Sequence, residues 1–198
     1  VHWDEALSAG RYVHNNINDD NHNSKAHAAI ARRCSWINTP SPLWSDVRTQ
    51  LLKGNFYTTR VPDFGNGDTA VKHAENLRLP KVKGIGMKND TVFMRLDVPA
   101  AVIKVISQGG AAVDSALNTD RIAYVMAPED PYVRMAAWYD NGTVVYTNAF
   151  ARYSSGDSPY REFGHPVRWG MTILWNLMLL AVTAASVAAI VLLFAKRK

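Results

Sequence analysis

The end of the chain differs sharply from the rest in its pattern of apolar and polar positions. From Met171 to Ala195 the sequence reads MTILWNLMLLAVTAASVAAIVLLFA, which contains no charged residue and one amide, Asn176. About 20 apolar residues in a helix cross the ~30 Å hydrocarbon core of a bilayer. The pattern therefore predicts a transmembrane helix, and we interpret residues 169–198 as a membrane anchor with a basic tail.

The ends of this apolar segment predict its orientation. Trp169 and Trp175 lie at one end, where indole rings favour the headgroup region, and the cluster Lys196–Lys198 follows the other end. Because positive charge favours the cytoplasmic side, we expect a single pass with a cytoplasmic C-terminus and a soluble domain that is periplasmic or extracellular. The first residue is Val1, as in a mature chain from which a signal peptide has been removed.

Short apolar runs broken by Gly, Pro and Asn follow residue 36 and predict strands. Residues 91–97 alternate with the period of two that is typical of a half-buried strand. The sequence Asp140-Asn141-Gly142 is typical of a type I′ hairpin turn. Short strands separated by such turns favour a mainly β fold, with a β-sandwich at residues 36–168. The predicted strands are Thr49–Leu52, Val71–His73, Lys81–Met87, Thr91–Leu96, Val102–Ile106, Ile122–Met126, Val133–Trp138 and Thr143–Phe150.

Residues 1–35 are interpreted as a polar lead that is mostly helical. A helical run begins at Asp4 and ends in the Asn- and Asp-rich stretch 15–23, and a second, Ala-rich helix is predicted at residues 24–33. The lead contains three histidines, His14, His22 and His27. Their spacing matches no common zinc pattern. We therefore interpret them as solvated side chains on a surface loop, with metal binding as the alternative.

Composition narrows the classes of function. The chain has 198 residues, of which 47% are hydrophobic and 20% charged, and this excludes global intrinsic disorder. A single cysteine, Cys34, excludes a disulfide scaffold and a Cys-rich metal or iron–sulfur site within the chain. The net charge of +5 is modest and scattered, which argues against nucleic acid as a partner. No phosphate-binding glycine motif or local catalytic signature is present, so no catalytic residue is predicted.

Two features of the strand region carry candidate chemistry. Met126 and Met135 flank the turn at residues 127–131, and a thioether can hold a haem iron on one side. The competing interpretation is that both methionines fill the core, as strand methionines commonly do. The second feature is a basic and aromatic cluster, which could equally be a sandwich surface or an interface. Its members are Arg134, Trp138, Tyr139, Tyr146 and Tyr153.

The order of several segments resembles a known β-sandwich family. Ser41-Pro42-Leu43-Trp44 is followed by PKVKGI, NDTVFMRL, TDRIAYVM and PYVRM, which begin at residues 80, 89, 119 and 131. This series covers residues 38–150. It resembles the haem b-binding γ subunit of the ethylbenzene dehydrogenase type, which is found with type II molybdenum enzymes such as nitrite oxidoreductase.

The resemblance implies a bound haem b. In that family a methionine of a Pro-containing turn ligates the haem, and Met135 follows the corresponding turn here. The family's second ligand is a lysine on a late strand, yet the only lysines after Met135 are Lys196 and Lys198, beyond the predicted anchor. His165, and after it His73, is the candidate replacement, because imidazole is a common haem ligand.

Three functions remain open at this point. The first is a membrane-anchored electron-transfer subunit of a respiratory oxidoreductase complex, which relays electrons and carries out no substrate chemistry itself. The second is a cofactor-free structural subunit that anchors a large membrane complex. The third is a cell-surface or viral binding ectodomain. The expected partners are other subunits of a membrane complex and the lipid bilayer.

Overall fold

The computed structural model describes residues 2–19, 32–62, 69–153 and 168–195. As predicted, the fold is mainly antiparallel sheet, with a short N-terminal helix and an apolar C-terminal helix. The helices are α1 (His2–Ser8), α2 (Trp44–Lys53), α3 (Thr69–Leu77) and α4 (Trp169–Ala195). The strands are β1 (Arg33–Ile37), β2 (Phe56–Arg60), β3 (Val82–Lys88), β4 (Thr91–Ile106), β5 (Ala112–Val125), β6 (Tyr132–Trp138), β7 (Val144–Thr147) and β8 (Phe150–Ala151).

The long hairpin of β4 and β5 joins two parts of the sheet. The strands are ordered β1-β2-β7-β6-β4-β3, and β5 pairs with β4 while β8 pairs with β6. Because β5 occupies one edge of β4, the other edge is shared: its first half pairs with β3 and its second half with β6. The register of β4 shifts between Arg95 and Ala100. This irregularity separates the half of β4 that pairs with β3 from the half that pairs with β6.

Both parts of the sheet contribute to one core. Val92 and Met94 of β4 and Val133 and Met135 of β6 have no exposed surface and belong to the same apolar cluster. Within each strand the two residues are spaced by two, which places them on one face. Full burial of an apolar side chain of this size contributes about 1.5–3 kcal/mol, so this cluster is a major source of stability for the predicted sandwich.

Two of the predicted strands are helices. Thr49–Leu52 lies within α2, and Val71–His73 lies within α3. Short apolar runs do not distinguish strand from helix by periodicity alone. A clearer sign that residues 49–52 belong to a helix is Gly54, which directly follows α2. Gly54 has a φ of 71° and donates its N–H to the carbonyl of Leu51. A glycine directly after a basic last turn is typical of a helix C-terminus.

The N-terminal lead also differs from its prediction. Helix α1 ends at Ser8, and residues 11–19 contain no helix or strand. Strand β1 includes Arg33, so the predicted second helix does not reach that residue, and the predicted boundary at 35/36 falls inside β1. The remaining part of that predicted helix, residues 24–31, lies outside the described residues.

The hairpin between β6 and β7 has a different turn from the predicted type I′. The N–H of Gly142 donates to the carbonyl of Tyr139 at 2.9 Å, and the N–H of Tyr139 donates to the carbonyl of Thr143 at 3.0 Å. Gly142 has a φ of 83°, whereas Asn141 has a negative φ. A type I′ turn requires positive φ at both central residues. The observed turn is a type I turn closed by a glycine bulge.

Helix α4 forms a separate unit together with the residues around it. None of its residues is buried, and it is long and apolar enough to cross a membrane. The hydroxyls of Thr183 and Ser186 donate to the carbonyls of Leu179 and Val182, each at 2.8 Å. Polar groups satisfied within the helix suit a hydrocarbon environment. One helix among the described residues therefore suggests single-pass anchoring, as predicted.

Candidate functional site

A buried ion pair fastens α1 to β6. Arg134 donates through Nε and Nη2 to the two carboxylate oxygens of Asp4, at 2.7 Å each, and the two side chains are 10% and 9% exposed. The guanidinium carbon lies 5.0 Å from the ring centroid of Trp3. The Ser8 hydroxyl accepts a hydrogen bond from the N–H of Gly109 at 2.9 Å. Bidentate pairs of this kind are strong and geometrically specific, so they fix the start of the lead.

Hydrogen bonds hold the rest of the lead against the sheet. The N–H of Asn15 donates to Oδ1 of Asn148 at 2.8 Å, and its side-chain amide donates to Oγ1 of Thr58 at 3.0 Å. Farther along, Oδ1 of Asp19 accepts from the N–H of Arg33 at 2.7 Å. These contacts show that residues 11–19 are a fixed part of the domain surface, although they adopt no regular structure.

His14 is held between the lead and the sheet. Its Nε2 donates to the carbonyl of Leu52 at 3.2 Å, and its ring meets that of Phe56 edge-on at 5.9 Å between centroids. A Cβ placed on Gly54 would lie 2.5 Å from Cε1 of His14, so only glycine fits there without a shift. Burial lowers the pKa of His14, and the Leu52 carbonyl partly opposes this, which favours a neutral ring at pH 7.

The interpretation of the lead histidines as solvated is therefore wrong for His14, which is half-buried. His22 and His27 lie outside the described residues. No sequence signal separated the three histidines, because burial of His14 depends on Gly54 and Phe56, which are about forty positions away along the chain.

A cavity of about 810 Å³ opens beside His14. It is bounded by residues 36–38 at the end of β1, residues 53–57 at the start of β2, residues 82–87 of β3 and residues 148–151 between β7 and β8. Ligand pockets commonly measure roughly 300–1,000 Å³. The cavity has the size of a small-molecule site, and His14 and Tyr153 add to the four ranges that bound it.

Aromatic rings form one wall of the cavity. Trp36 and Tyr57 are paired across β1 and β2, and their rings are stacked with a centroid distance of 6.2 Å and an interplanar angle of 12°. Burial raises the pKa of Tyr57, while a hydrogen bond with the backbone of Val82 lowers it and the charge of Asp97 raises it further. Nε1 of Trp36 is buried and has no hydrogen-bond partner within the described part of the chain. Buried donors are normally satisfied, so this indole is a candidate donor to a ligand.

The charges that line the cavity have one sign. Lys53 and Lys83 are exposed, and neither forms an ion pair with a carboxylate in the part of the chain that the structure describes. The residues described along the cavity wall include no Asp, Glu, Ser, Thr or Cys. The described lining therefore offers cationic and hydrogen-bonding contacts and no carboxylate.

Two glycines of β3 also line the cavity. Gly84 faces Arg95 and Gly86 faces Phe93 across the β3–β4 ladder. A Cβ on Gly84 would lie 3.1 Å from Nη2 of Arg95, and one on Gly86 would lie 2.9 Å from Cζ of Phe93. The sequence Gly84-Ile85-Gly86 is too short to form a phosphate motif, but alternate glycines in a strand are a sign of close packing. The alternate glycines at positions 84 and 86 are therefore the sequence feature that points to the site.

The predicted haem methionine lies elsewhere. Met135 has no exposed surface, and Met126 is 3% exposed; both belong to the apolar core and neither lines the cavity. In the structure the Met135 side chain is covered by the core, so its ligation of a haem would require that part of the core to open. His73 lies in α3 with its side chain outside the described part, and His165 lies outside it altogether, so the pairing of either with Met135 stays a prediction.

The turn before Met135 is held by hydrogen bonds. Oδ2 of Asp130 accepts from the Tyr124 hydroxyl at 2.8 Å and from the Ala127 N–H at 2.9 Å. Burial raises the pKa of Tyr124 to about 12, helped by its bond to Asp130. Burial also raises the pKa of Asp130, but bonds from Ser107, Tyr124 and Ala127 outweigh it and leave that pKa low. These groups stabilise the turn at residues 127–131.

The predicted basic and aromatic cluster is divided: Arg134, Trp138 and Tyr146 share one face of the β6–β7 pair, whereas Tyr139 and Tyr153 lie elsewhere. Arg134 belongs to the ion pair with Asp4, and the Trp138 ring has the Lys104 ammonium 5.5 Å above its centroid. Tyr139 packs against the core, and only Tyr153 of this set lines the cavity. Adjacent positions in β6 point to opposite faces of the sheet, which explains how Arg134 and the core methionine next to it are separated.

Comparison of the chain with protein-family models, curated proteins and solved structures found no match. The resemblance to the haem b-binding γ subunits therefore depends on its short sequence motifs. Among the residues that the structure describes, no group of three or more His, Cys, Asp or Glu side chains could hold a metal ion. The cavity beside His14 is thus the candidate functional site.

Proposed function

We propose that this chain is a membrane-anchored binding module in which α4 tethers the chain and the sandwich holds a ligand in the cavity. The observation that carries the proposal is a cavity of about 810 Å³ with an aromatic wall and cationic side chains. The described part of the wall contains no Asp, Glu, Ser, Thr or Cys, and this composition favours binding over catalysis. This is the binding-ectodomain alternative of the three functions expected from sequence.

The orientation belongs to the same proposal. The Lys196–Lys198 cluster favours a cytoplasmic C-terminus, with the sandwich on the other side. Protease added outside intact cells should digest the sandwich and leave a C-terminal tag protected. If the tag is digested while the sandwich stays intact, the orientation is the opposite of the one proposed.

Site-specific photo-crosslinking in native membranes tests the binding role. We would place a benzophenone amino acid at Met87, which lines the cavity and is 44% exposed, and at Leu117 of β5 as a control, which is 71% exposed and does not line it. Occupancy of the cavity should give a discrete adduct from position 87 and none from position 117. Equal labelling at both positions, or none at position 87, would contradict the proposal.

Electron transfer through haem b is a separate proposal, supported by the resemblance over residues 38–150. It requires the core around Met135 to open, because that side chain is fully covered. Full-length protein purified after expression with ample haem should then show a Soret band, and Met135→His should lower the potential of the bound haem. A spectrum without a Soret band would exclude this function and leave the binding module unaffected.

A further inference from the structure

We propose that the cavity binds an anionic amphiphile, a small molecule with one acidic group on an apolar aliphatic or aromatic body. This inference rests on the proposed binding function and specifies the chemistry of its ligand. It follows from the charge, the apolar surface and the hydrogen-bonding character of the cavity wall.

The charge of the wall selects an anion. Lys53 and Lys83 line the cavity without a carboxylate partner among the described residues, whereas Arg121 lies 3.0 Å from Asp120 and Arg134 lies 2.7 Å from Asp4. An acidic ligand supplies the missing counter-charge. Each ammonium group has three hydrogen-bond donors and no acceptor, so it can bond to a carboxylate. The same positive charge repels a cationic ligand.

The apolar surface selects the body of the ligand. The stacked rings of Trp36 and Tyr57 are partly exposed and line the cavity, as does Phe56, which is 6% exposed. Ile85 and Met87 extend the apolar surface along β3. Aromatic faces accept flat rings by stacking, and a flexible methionine adapts to irregular shapes. An apolar body of drug-like or fatty-acyl size fits a cavity of about 810 Å³.

One buried hydrogen-bonding group of the wall lacks a partner among the described residues, and it is a donor. The Asn148 amide already donates to the carbonyls of Gly54 and Phe56, at 2.9 and 3.1 Å. The indole N–H of Trp36 has no partner within the described part of the chain, and an indole can only donate. This donor favours a ligand that carries an acceptor, which agrees with the charge of the lysines.

A matched pair of soluble probes tests the ligand class. Full-length protein in phosphatidylcholine nanodiscs would be titrated calorimetrically with 4-phenylbutyrate and with its neutral amide, 4-phenylbutanamide, and empty nanodiscs would provide the baseline. We expect the carboxylate to bind at least tenfold more tightly than the amide, with an affinity that falls as salt is raised. Hydrogen exchange should slow at residues 82–87 when the carboxylate is added, and stay unchanged at residues 112–117.

Lysine variants locate the charge effect. Lys53→Gln/Lys83→Gln should weaken the carboxylate to the level of the amide and leave the amide unchanged. Lys88→Gln, an exposed control on the same strand that does not line the cavity, should alter neither. Equal affinity of the two probes would overturn the anionic class while keeping a binding cavity. Failure of both probes would overturn the inference, and the crosslink at position 87 would then decide the binding role separately.

Discussion

Two regions of the sandwich unit differ in whether their positive charges are buried and paired. Beneath α1, Arg134 is buried, and Asp4 neutralises it through two hydrogen bonds. At the cavity, Lys53 and Lys83 are exposed and have no described carboxylate partner. A buried charge without its partner costs several kcal/mol, whereas an exposed ammonium stays hydrated. Arg134 is therefore part of the structure, whereas Lys53 and Lys83 are available to a ligand.

The largest effect is expected where the buried pair is broken. Asp4→Ala leaves the Arg134 guanidinium buried and unpaired, so the free energy of unfolding should fall by about 3–5 kcal/mol. Urea denaturation of the full chain in nanodiscs, followed by near-ultraviolet circular dichroism, measures this. Asp4→Ala/Arg134→Met removes both charges and should be less destabilised than the single variant. A change below about 0.5 kcal/mol for Asp4→Ala would show that the pair is not structural.

A smaller loss is expected where the lead meets the cavity. Gly54→Ala introduces a Cβ at a φ of 71° and places it 2.5 Å from His14, so unfolding free energy should fall by about 1–3 kcal/mol. Gly10→Ala is the matched control, because its φ is 74° and no atom lies within 4 Å of the added Cβ. Thermal denaturation should show the greater loss for Gly54→Ala. Equal losses of stability in the two variants would mean that the His14 ring moves to make room for the methyl group.

A pH-dependent contribution from His14 should be smaller still. Its folded pKa is lower than the ordinary 6.5, so above pH 6.5 the ring is neutral in both states and its contribution is complete. As the pH falls through 6.5, the unfolded chain takes up the proton first, and stability is lost. Denaturation at pH 7.5 and 5.5 should show a drop in wild type that is reduced in His14→Gln. An identical drop in both would contradict the pKa shift.

The smallest effect is expected from the cavity lysines. Lys53→Gln/Lys83→Gln should change the free energy of unfolding by no more than about 0.5 kcal/mol, because the substitutions lie on the surface and break no described ion pair. The same urea titration measures it beside Asp4→Ala. A loss of several kcal/mol would show that these lysines are structural, and the contrast with Arg134 would then be wrong.

Features encoded by contiguous residues could be predicted from the sequence. The anchor is a single uncharged run, and residues 91–96 alternate as a strand does, so both were found. Thr49–Leu52 and Val71–His73 were misassigned because their runs are too short to show a period. Strands β1 and β2 were missed because Arg33–Ile37 and Phe56–Arg60 mix polar and apolar residues without clear alternation.

The candidate site could not be predicted in the same way. Its wall combines His14, Trp36, Tyr57 and Ile85, which no sequence window contains together. The prediction that Met135 ligates a haem rests on its position after a turn, whereas its burial depends on the face of β6 that it occupies. The sequence therefore predicts the strand that carries Met135. The surroundings of the Met135 side chain depend on the pairing of β6 with β4.

The ion pair between α1 and β6 also has a consequence for biosynthesis. Its two partners are separated by 130 residues. At a synthesis rate of roughly 5–20 residues per second, Arg134 follows Asp4 by roughly 6–26 s. The hairpin of β4 and β5 is complete at Val125, before Arg134 is added, and its contacts are local, so it can form before the lead docks. The same order is expected when the full chain refolds, because the ion pair joins residues 130 positions apart. Contacts made late should affect mainly the unfolding rate. Asp4→Ala is therefore expected to speed unfolding and leave the refolding rate nearly unchanged in stopped-flow measurements.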